Sequence, residues 1–144
     1  DSSMVTTRDS LDHFPTVPDI YGKIDLLEKY ALSNNAVATN VPMLNIQRAN
    51  NGHYHFMVSL PVNKQLQGNA SIRYKQMLPN GNFLSTDSLY GGFQYLDSLF
   101  FQFESYRKDY NFASPAIPFQ SLITDRRKEP DSSKWITRFY YPVY

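Results

Sequence analysis

Apolar positions in the first part of the chain recur with the period of a helix. Four of them fall on one helix face: Ile20, Ile24, Leu27 and Ala31. Asp19 is a suitable N-cap, so the helix is predicted to begin one or two residues later, and Asn34-Asn35 is predicted to end it. The weak alternation over residues 3–8 predicts an edge strand before this helix.

A hairpin signal follows the helix. Pro42 precedes a short apolar run that ends near Ile46, which predicts a strand. Asn51-Gly52 is the dipeptide preferred in two-residue hairpin turns. The residues after it, 53–60, are predicted to form the return strand, which ends at Pro61-Val62.

The second part of the chain has the same order of patterns. A polar linker leads to two predicted strands around a Pro-Asn-Gly turn, then to an apolar stripe of helical spacing that starts at Phe93 and ends near Asp109. Three further segments are predicted in the last part: a strand over 119–123, a charged loop over 125–133 and a final strand over 134–141. The charged triplet of that loop, Arg126-Arg127-Lys128, is typical of a solvated turn.

The two parts match as an internal repeat. Ile20-Tyr21-Gly22-Lys23 corresponds to Leu89-Tyr90-Gly91-Gly92, and each is followed by a helix, a strand, a turn and a strand that ends in Pro-Val. Residues 1–144 are therefore predicted to be a single α+β domain of two β-α-β-β copies, about 1–66 and about 67–144. Such units imply an antiparallel sheet with its helices on one face.

Composition narrows the classes of function. The net charge of +1 argues against a dedicated nucleic-acid binder, and the absence of cysteine excludes disulfides and thiolate chemistry. No apolar run reaches the roughly 20 residues that cross a bilayer. Tyrosine and phenylalanine number 11 and 10, as in proteins whose rings line a pocket or an aromatic core.

The chain begins at Asp1 rather than at Met, so we expect a trimmed or processed product. A fused or partner domain before Asp1 is left open. A cytoplasmic location is favoured, and a membrane-tethered or exported fragment is the alternative.

Several segments of the second part resemble the gyrase-inhibitor-like family, the effector-binding domain of multidrug-sensing and AraC-type transcription regulators. They are Pro79-Asn80-Gly81-Asn82-Phe83, Tyr90-Gly91-Gly92-Phe93-Gln94-Tyr95-Leu96, Pro118-Phe119, Glu129-Pro130 and Trp135-Ile136-Thr137-Arg138-Phe139-Tyr140-Tyr141-Pro142-Val143. The resemblance implies a pseudo-twofold pair of units with a central ligand cleft, and a small-molecule sensor rather than an enzyme.

The chain departs from the family at two acidic positions. Arg138 stands where such domains carry a Glu that attracts cationic drugs, and Phe119-Gln120 stands where they often have Trp-Glu. A cation in a cleft needs a partner, and either a protein carboxylate or an anionic ligand satisfies Arg138. We therefore expect an aromatic ligand that is neutral or anionic.

The resemblance and the repeat together imply a set of ligand contacts. They lie on one face of the last strand, at the matching positions of the first copy, and at the start of the second predicted helix. They are Arg138, Tyr140, Ile136, Met57, Ser59, His55, Tyr90 and Phe93. The alternative is that one of these strand faces is ordinary core under the helices.

Other chemistry is weakly supported. His53 and His55 lie two apart on a strand, but no third ligand is evident, so no metal or other cofactor is predicted. The sequence has no Gly-x-Ser-x-Gly motif, and no carboxylate pair lies on the predicted cleft strands, so no catalytic residue is predicted. It also has no helix-turn-helix, so the chain is expected to bind no nucleic acid directly. Two alternative functions remain: a protein-interaction module of gyrase-inhibitor type, and a hydrolase relative with a degenerate site.

Overall fold

The computed structural model describes residues 3–49, 51–76, 82–85, 89–90 and 119–143. The chain divides into two compact units, Asp1–Pro79 and Asn80–Tyr144.

The first unit is an antiparallel sheet with one helix on it. Its elements are β1 (Ser3–Leu11), α1 (Val17–Ser33), β2 (Met43–Arg48), β3 (Tyr54–Val62) and β4 (Arg73–Gln76). The strand order within the unit is β4-β1-β3-β2. The prediction of an edge strand over 3–8 is therefore wrong for Ser3–Thr6, which pairs with β3 on one side and with β4 on the other.

Helix α1 begins earlier than predicted. Its N-cap is Thr16, and Asp19 is the third helical residue, whose carboxylate accepts from the Thr16 backbone N–H in a capping box. Pro18 lies inside the first turn, where its missing N–H breaks no helical hydrogen bond. The predicted end is confirmed, with Asn34 as C-cap and Asn35 at a positive φ of 57°.

The predicted apolar face of α1 is confirmed as core. Ile20, Ile24, Leu27 and Ala31 are all buried. The helix lies on the sheet face that carries Val5 and Val58, and an ion pair from Lys23 to Asp9 of β1 joins the two layers at 3.2 Å. Burying each large aliphatic side chain stabilises the fold by about 1.5–3 kcal/mol.

The predicted hairpin is also confirmed. Strands β2 and β3 pair antiparallel with Arg48 opposite Tyr54, and the turn between them has Gly52 at φ 82°. A left-handed φ is easy for glycine, which lacks a Cβ. The return strand extends through Pro61 to Val62.

The second unit is organised around its last strand. Its described elements are β5 (Asn82–Ser85), β6 (Leu89–Tyr90), β7 (Phe119–Leu122), a single 3-10 turn (Ser132–Lys134) and β8 (Ile136–Val143). Strand β8 pairs antiparallel with β7, β5 and β6. The predicted strands near 82–86, 119–123 and 134–141 are therefore present.

The predicted helix from Phe93 to Asp109 lies outside the described residues. Antiparallel pairing and a helix packed on a strand layer confirm the α+β class. The two-copy repeat and its cleft stay predictions. Among the described helices, none has the length and hydropathy of a membrane span.

Candidate functional site

Strand β8 has one buried face and one more exposed face. Thr137 and Phe139 are buried, whereas Ile136, Arg138 and Tyr140 are half-buried. Side chains alternate between the faces of a strand, so the last three project together. The structure thus brings the three predicted ligand contacts of this strand onto its more accessible side.

Arg138 and Tyr140 form a mixed polar and aromatic surface on that face. The Nη1 group of Arg138 donates to the Tyr140 hydroxyl at 3.5 Å, at the long limit of a hydrogen bond. The register places Phe119 opposite Tyr140, and their rings stack with centroids 5.1 Å apart and planes at 17°. A guanidinium beside stacked rings can orient a planar ligand and donate to its polar groups.

The predicted contacts of the first unit also share a strand face. Met57, Ser59 and His55 lie on the side of β3 that faces away from α1. Ser59 is buried, Met57 is half-buried and His55 is exposed, with its Nδ1 against the Ser10 hydroxyl. Only Met57 and His55 therefore expose much surface to a ligand.

The two predicted contacts near the second helix are less fully described. The backbone of Tyr90 belongs to β6 and pairs with Ile136, and Phe93 lies outside the described residues. No metal site was predicted, and within the described part of the chain no three His, Asp or Glu side chains cluster as metal ligands.

The sequence interpretation missed Arg126. Arg127 and Lys128 of the predicted solvated triplet are exposed as expected, and Arg127 pairs with Asp125 at 3.3 Å. Arg126 is buried, and its Nη2 group donates to Thr137 Oγ1 at 3.0 Å and to Gln120 Oε1 at 3.4 Å. Its guanidinium also lies 4.9 Å from the centre of the Trp135 ring.

The contact with Arg126 assigns a structural role to Gln120, which stands where the resembling family often has Glu. This amide lies on the face of β7 opposite to the one that carries Phe119, and it is buried. It accepts from Arg126 and is therefore part of the packed interior of the second unit. Gln120, Thr137 and Trp135 are residue types that can contact a buried arginine. Nothing in the sequence indicated that these three residues lie around Arg126.

The fold matches solved structures although the sequence matches little. No protein-family model matches the chain, and no curated protein matches it either. The crystal structure of the EcmrR C-terminal domain superposes with a TM-score of 0.68 over 99% of this chain and 91% of that one, at 15% identity. EcmrR in its DNA complex gives a TM-score of 0.71 at 14% identity, again over 99% of this chain.

The chain spans about half of that EcmrR polypeptide, 53%. SAV2435 bound to tetraphenylphosphonium matches over 99% of this chain and 88% of that one, with a TM-score of 0.51 and 12% identity. At these identities the likeness shows a common fold. The predicted resemblance is thereby supported at the level of fold, with the C-terminal domain of EcmrR as the matched domain.

Proposed function

We propose that this chain is a ligand-sensing module of the kind found in transcription regulators. It binds a small aromatic molecule, neutral or anionic, on the open face of β8 through Arg138 and Tyr140. The observation that carries the proposal is the guanidinium of Arg138 next to the stacked rings of Phe119 and Tyr140 on a half-buried face.

The structural neighbours support a binding role. EcmrR is known in a complex with DNA, and SAV2435 with bound tetraphenylphosphonium. The match to EcmrR covers its C-terminal domain. In a regulator built on this module, we expect DNA contacts to come from another part of the protein.

The charge of Arg138 sets the ligand preference. A guanidinium stays protonated at all physiological pH values, and its fork of N–H donors matches a carboxylate. A cationic ligand at this face would meet a like charge in a partly desolvated place, where electrostatic interactions are stronger than in bulk water. This chain would then prefer ligands opposite in charge to the tetraphenylphosphonium held by SAV2435.

Six further residues are proposed as ligand contacts. Ile136 shares the face of Arg138 and would add apolar surface. Met57, Ser59 and His55 are proposed as contacts on the face of β3 that points away from α1, and Tyr90 and Phe93 as aromatic contacts. Mutation of these residues singly would rank them.

Two ions of the same shape and opposite charge test the proposal. Tetraphenylborate and tetraphenylphosphonium are titrated into the protein in sodium buffer, by calorimetry or by Trp135 fluorescence. We expect tetraphenylborate to bind about tenfold more tightly, which corresponds to about 1.4 kcal/mol. Arg138→Gln should remove this preference, because it deletes the charge and keeps a polar side chain.

A matched control is available in the same unit. Arg127 is exposed and pairs with Asp125, so Arg127→Gln should leave the preference for tetraphenylborate unchanged. Tighter binding of the phosphonium, or an equal effect of both substitutions, would contradict the role of Arg138. No binding of either ion would instead favour a surface for a protein partner.

A further inference from the structure

A pocket lies within the first unit, at the edge of its sheet. It has a volume of about 380 Å³, inside the range of about 300–1,000 Å³ that is typical of small-molecule sites. Its described lining comes from β1, α1 and the segment that enters β4: Thr6, Thr7, Arg8, Asp9, Lys23, Leu26, Ala70, Ser71 and Arg73.

The pocket exists because β4 covers only the first part of β1. Pairing between these strands ends where Thr6 meets Arg73, whereas β1 continues to Leu11 along β3. Among the described strands, none pairs with the other side of Thr7–Leu11. In an antiparallel sheet, alternate residues direct both N–H and C=O to the same side, so this stretch presents backbone donors at the pocket.

The wall opposite this edge is held in place. The Asn69 side chain accepts from the backbone N–H groups of Ser71 and Ile72, both at 2.8 Å, in an Asx turn. Thr7 Oγ1 donates to the Ser71 carbonyl oxygen at 3.0 Å and so ties this turn to β1. These hydrogen bonds fix the backbone of residues 69–72, which forms this wall of the pocket.

The lining carries more positive than negative charge. It has three cations, Arg8, Lys23 and Arg73, and one carboxylate, Asp9, which is paired with Lys23. Among the described residues, no carboxylate lies within ion-pair distance of Arg8 or Arg73. Two guanidinium groups at one pocket therefore have no carboxylate partner in the part of the chain that the structure describes.

A further lysine lies beside these two arginines. Lys75 follows Arg73 on the same face of β4, and burial together with Arg8 and Arg73 holds its pKa below the ordinary 10.5. Thr6 adds a buried hydroxyl oxygen that lacks a hydrogen-bond partner within the described residues. An anion bound here would relieve the repulsion between the cations and could accept from that hydroxyl.

We propose that this pocket is a second ligand site, which binds a compact organic anion through Arg8 and Arg73. The apolar part of the described lining is small, Leu26 and Ala70, and it contains no aromatic ring. The ligand class is therefore a small carboxylate or phosphate rather than the aromatic molecule proposed for β8. This inference does not depend on that function.

Amide NMR spectra of the whole chain test the proposal. Inorganic phosphate, succinate and the neutral analogue succinamide are titrated at constant ionic strength, since salt screens exposed charges. We expect one or both anions to shift the amides of residues 6–9 and 70–73 with a dissociation constant of about 1 mM or tighter. Saturation by phosphate alone identifies a phosphate ligand, and saturation by succinate alone identifies a carboxylate ligand.

Variants separate the site from general surface charge. Arg8→Gln/Arg73→Gln should weaken anion binding by about tenfold or more, because each guanidinium provides charge-assisted hydrogen bonds. Arg48→Gln is the matched control, since Arg48 is exposed on β2 and does not line the pocket. Arg73→Lys should lose part of the affinity, because it keeps the charge without the fork.

Three results would overturn the proposal: no shift of these amides by either anion, equal binding by succinamide, or an equal loss in Arg48→Gln. Failure of the β8 proposal is distinguishable, since it would remove tetraphenylborate binding and leave these amide shifts intact.

Discussion

Replacement of Arg126 by alanine should destabilise the second unit. The side chain is 4% exposed, and it donates to two acceptors that are themselves buried, Gln120 and Thr137. Alanine would remove both donations and the contact with the Trp135 ring 4.9 Å away. The change acts within a single packed cluster, so its effect can be worked out from few interactions.

The magnitude follows from these contacts. A desolvated guanidinium over an indole contributes about 1–2 kcal/mol. A buried acceptor left without its donor costs about 1–3 kcal/mol, with the lower end expected for Gln120, whose hydrogen bond is long at 3.4 Å. The Arg charge itself is costly to bury, which offsets part of the loss. We expect Arg126→Ala to lower the free energy of unfolding by about 3 kcal/mol.

Urea unfolding followed by fluorescence measures this directly. Trp135 is the sole tryptophan of the chain, and it is next to the substituted side chain. Arg126→Met should lose less, about 2 kcal/mol, because its stem still packs on the indole while both acceptors lose their donor.

The neighbouring residue gives the control. Arg127 is exposed and pairs with Asp125, and such surface pairs contribute about 0–1 kcal/mol. Arg127→Ala should therefore change the stability little. If Arg126→Ala were as mild as Arg127→Ala, the packed cluster would not be an important source of stability and the reasoning would fail.

Two further predictions concern the first unit. Both ring nitrogens of His13 face carboxylate oxygens, of Asp12 at 2.8 Å and of Asp19 at 3.0 Å, so only the imidazolium donates to both and its pKa is raised above 6.5. The two ion pairs of His13 stabilise the fold fully below pH 6.5, and this stabilisation is lost as the pH rises through the raised pKa. Urea midpoints between pH 6 and 9 should therefore fall more in the wild type than in His13→Gln. Parallel profiles would contradict this. A Cβ at Gly68 would lie 2.5 Å from a backbone carbonyl oxygen, so Gly68→Ala should lower the thermal midpoint by the equivalent of about 1–3 kcal/mol. Gly22 lies in helix α1 with open space around it, so the control Gly22→Ala should raise the midpoint. Equal effects of the two substitutions would refute the packing argument.

Local signals in the sequence were sufficient for the elements of the first unit. The apolar face of α1 and the Asn51-Gly52 turn depend on residues close in sequence, and both are confirmed. The N-cap was misplaced because Asp19 and Thr16 are both good capping residues and Pro18 suggested a break. The Thr-x-x-Asp spacing is the signal that identifies the capping box.

Features that depend on distant residues could not be read in the same way. Burial of Arg126 requires Gln120, Thr137 and Trp135 to meet in space, and a charged loop triplet does not indicate it. Alternation along β8 was enough to group Arg138 with Tyr140. The stacking of Phe119 on Tyr140 additionally required the register with β7, and whether a ligand uses this face stays a prediction.

The position of β1 between β3 and β4 has a consequence for synthesis of the chain. A nascent chain that ends near residue 66 holds β1, α1 and the β2–β3 hairpin but lacks β4, so one side of Ser3–Thr6 is an open strand edge. Open edges pair readily with other chains, and pairing over about 70 residues is slow to form. The interval between emergence of β3 and of β4 from the ribosome is thus when the first unit is most exposed to misassembly, and truncations within it should aggregate.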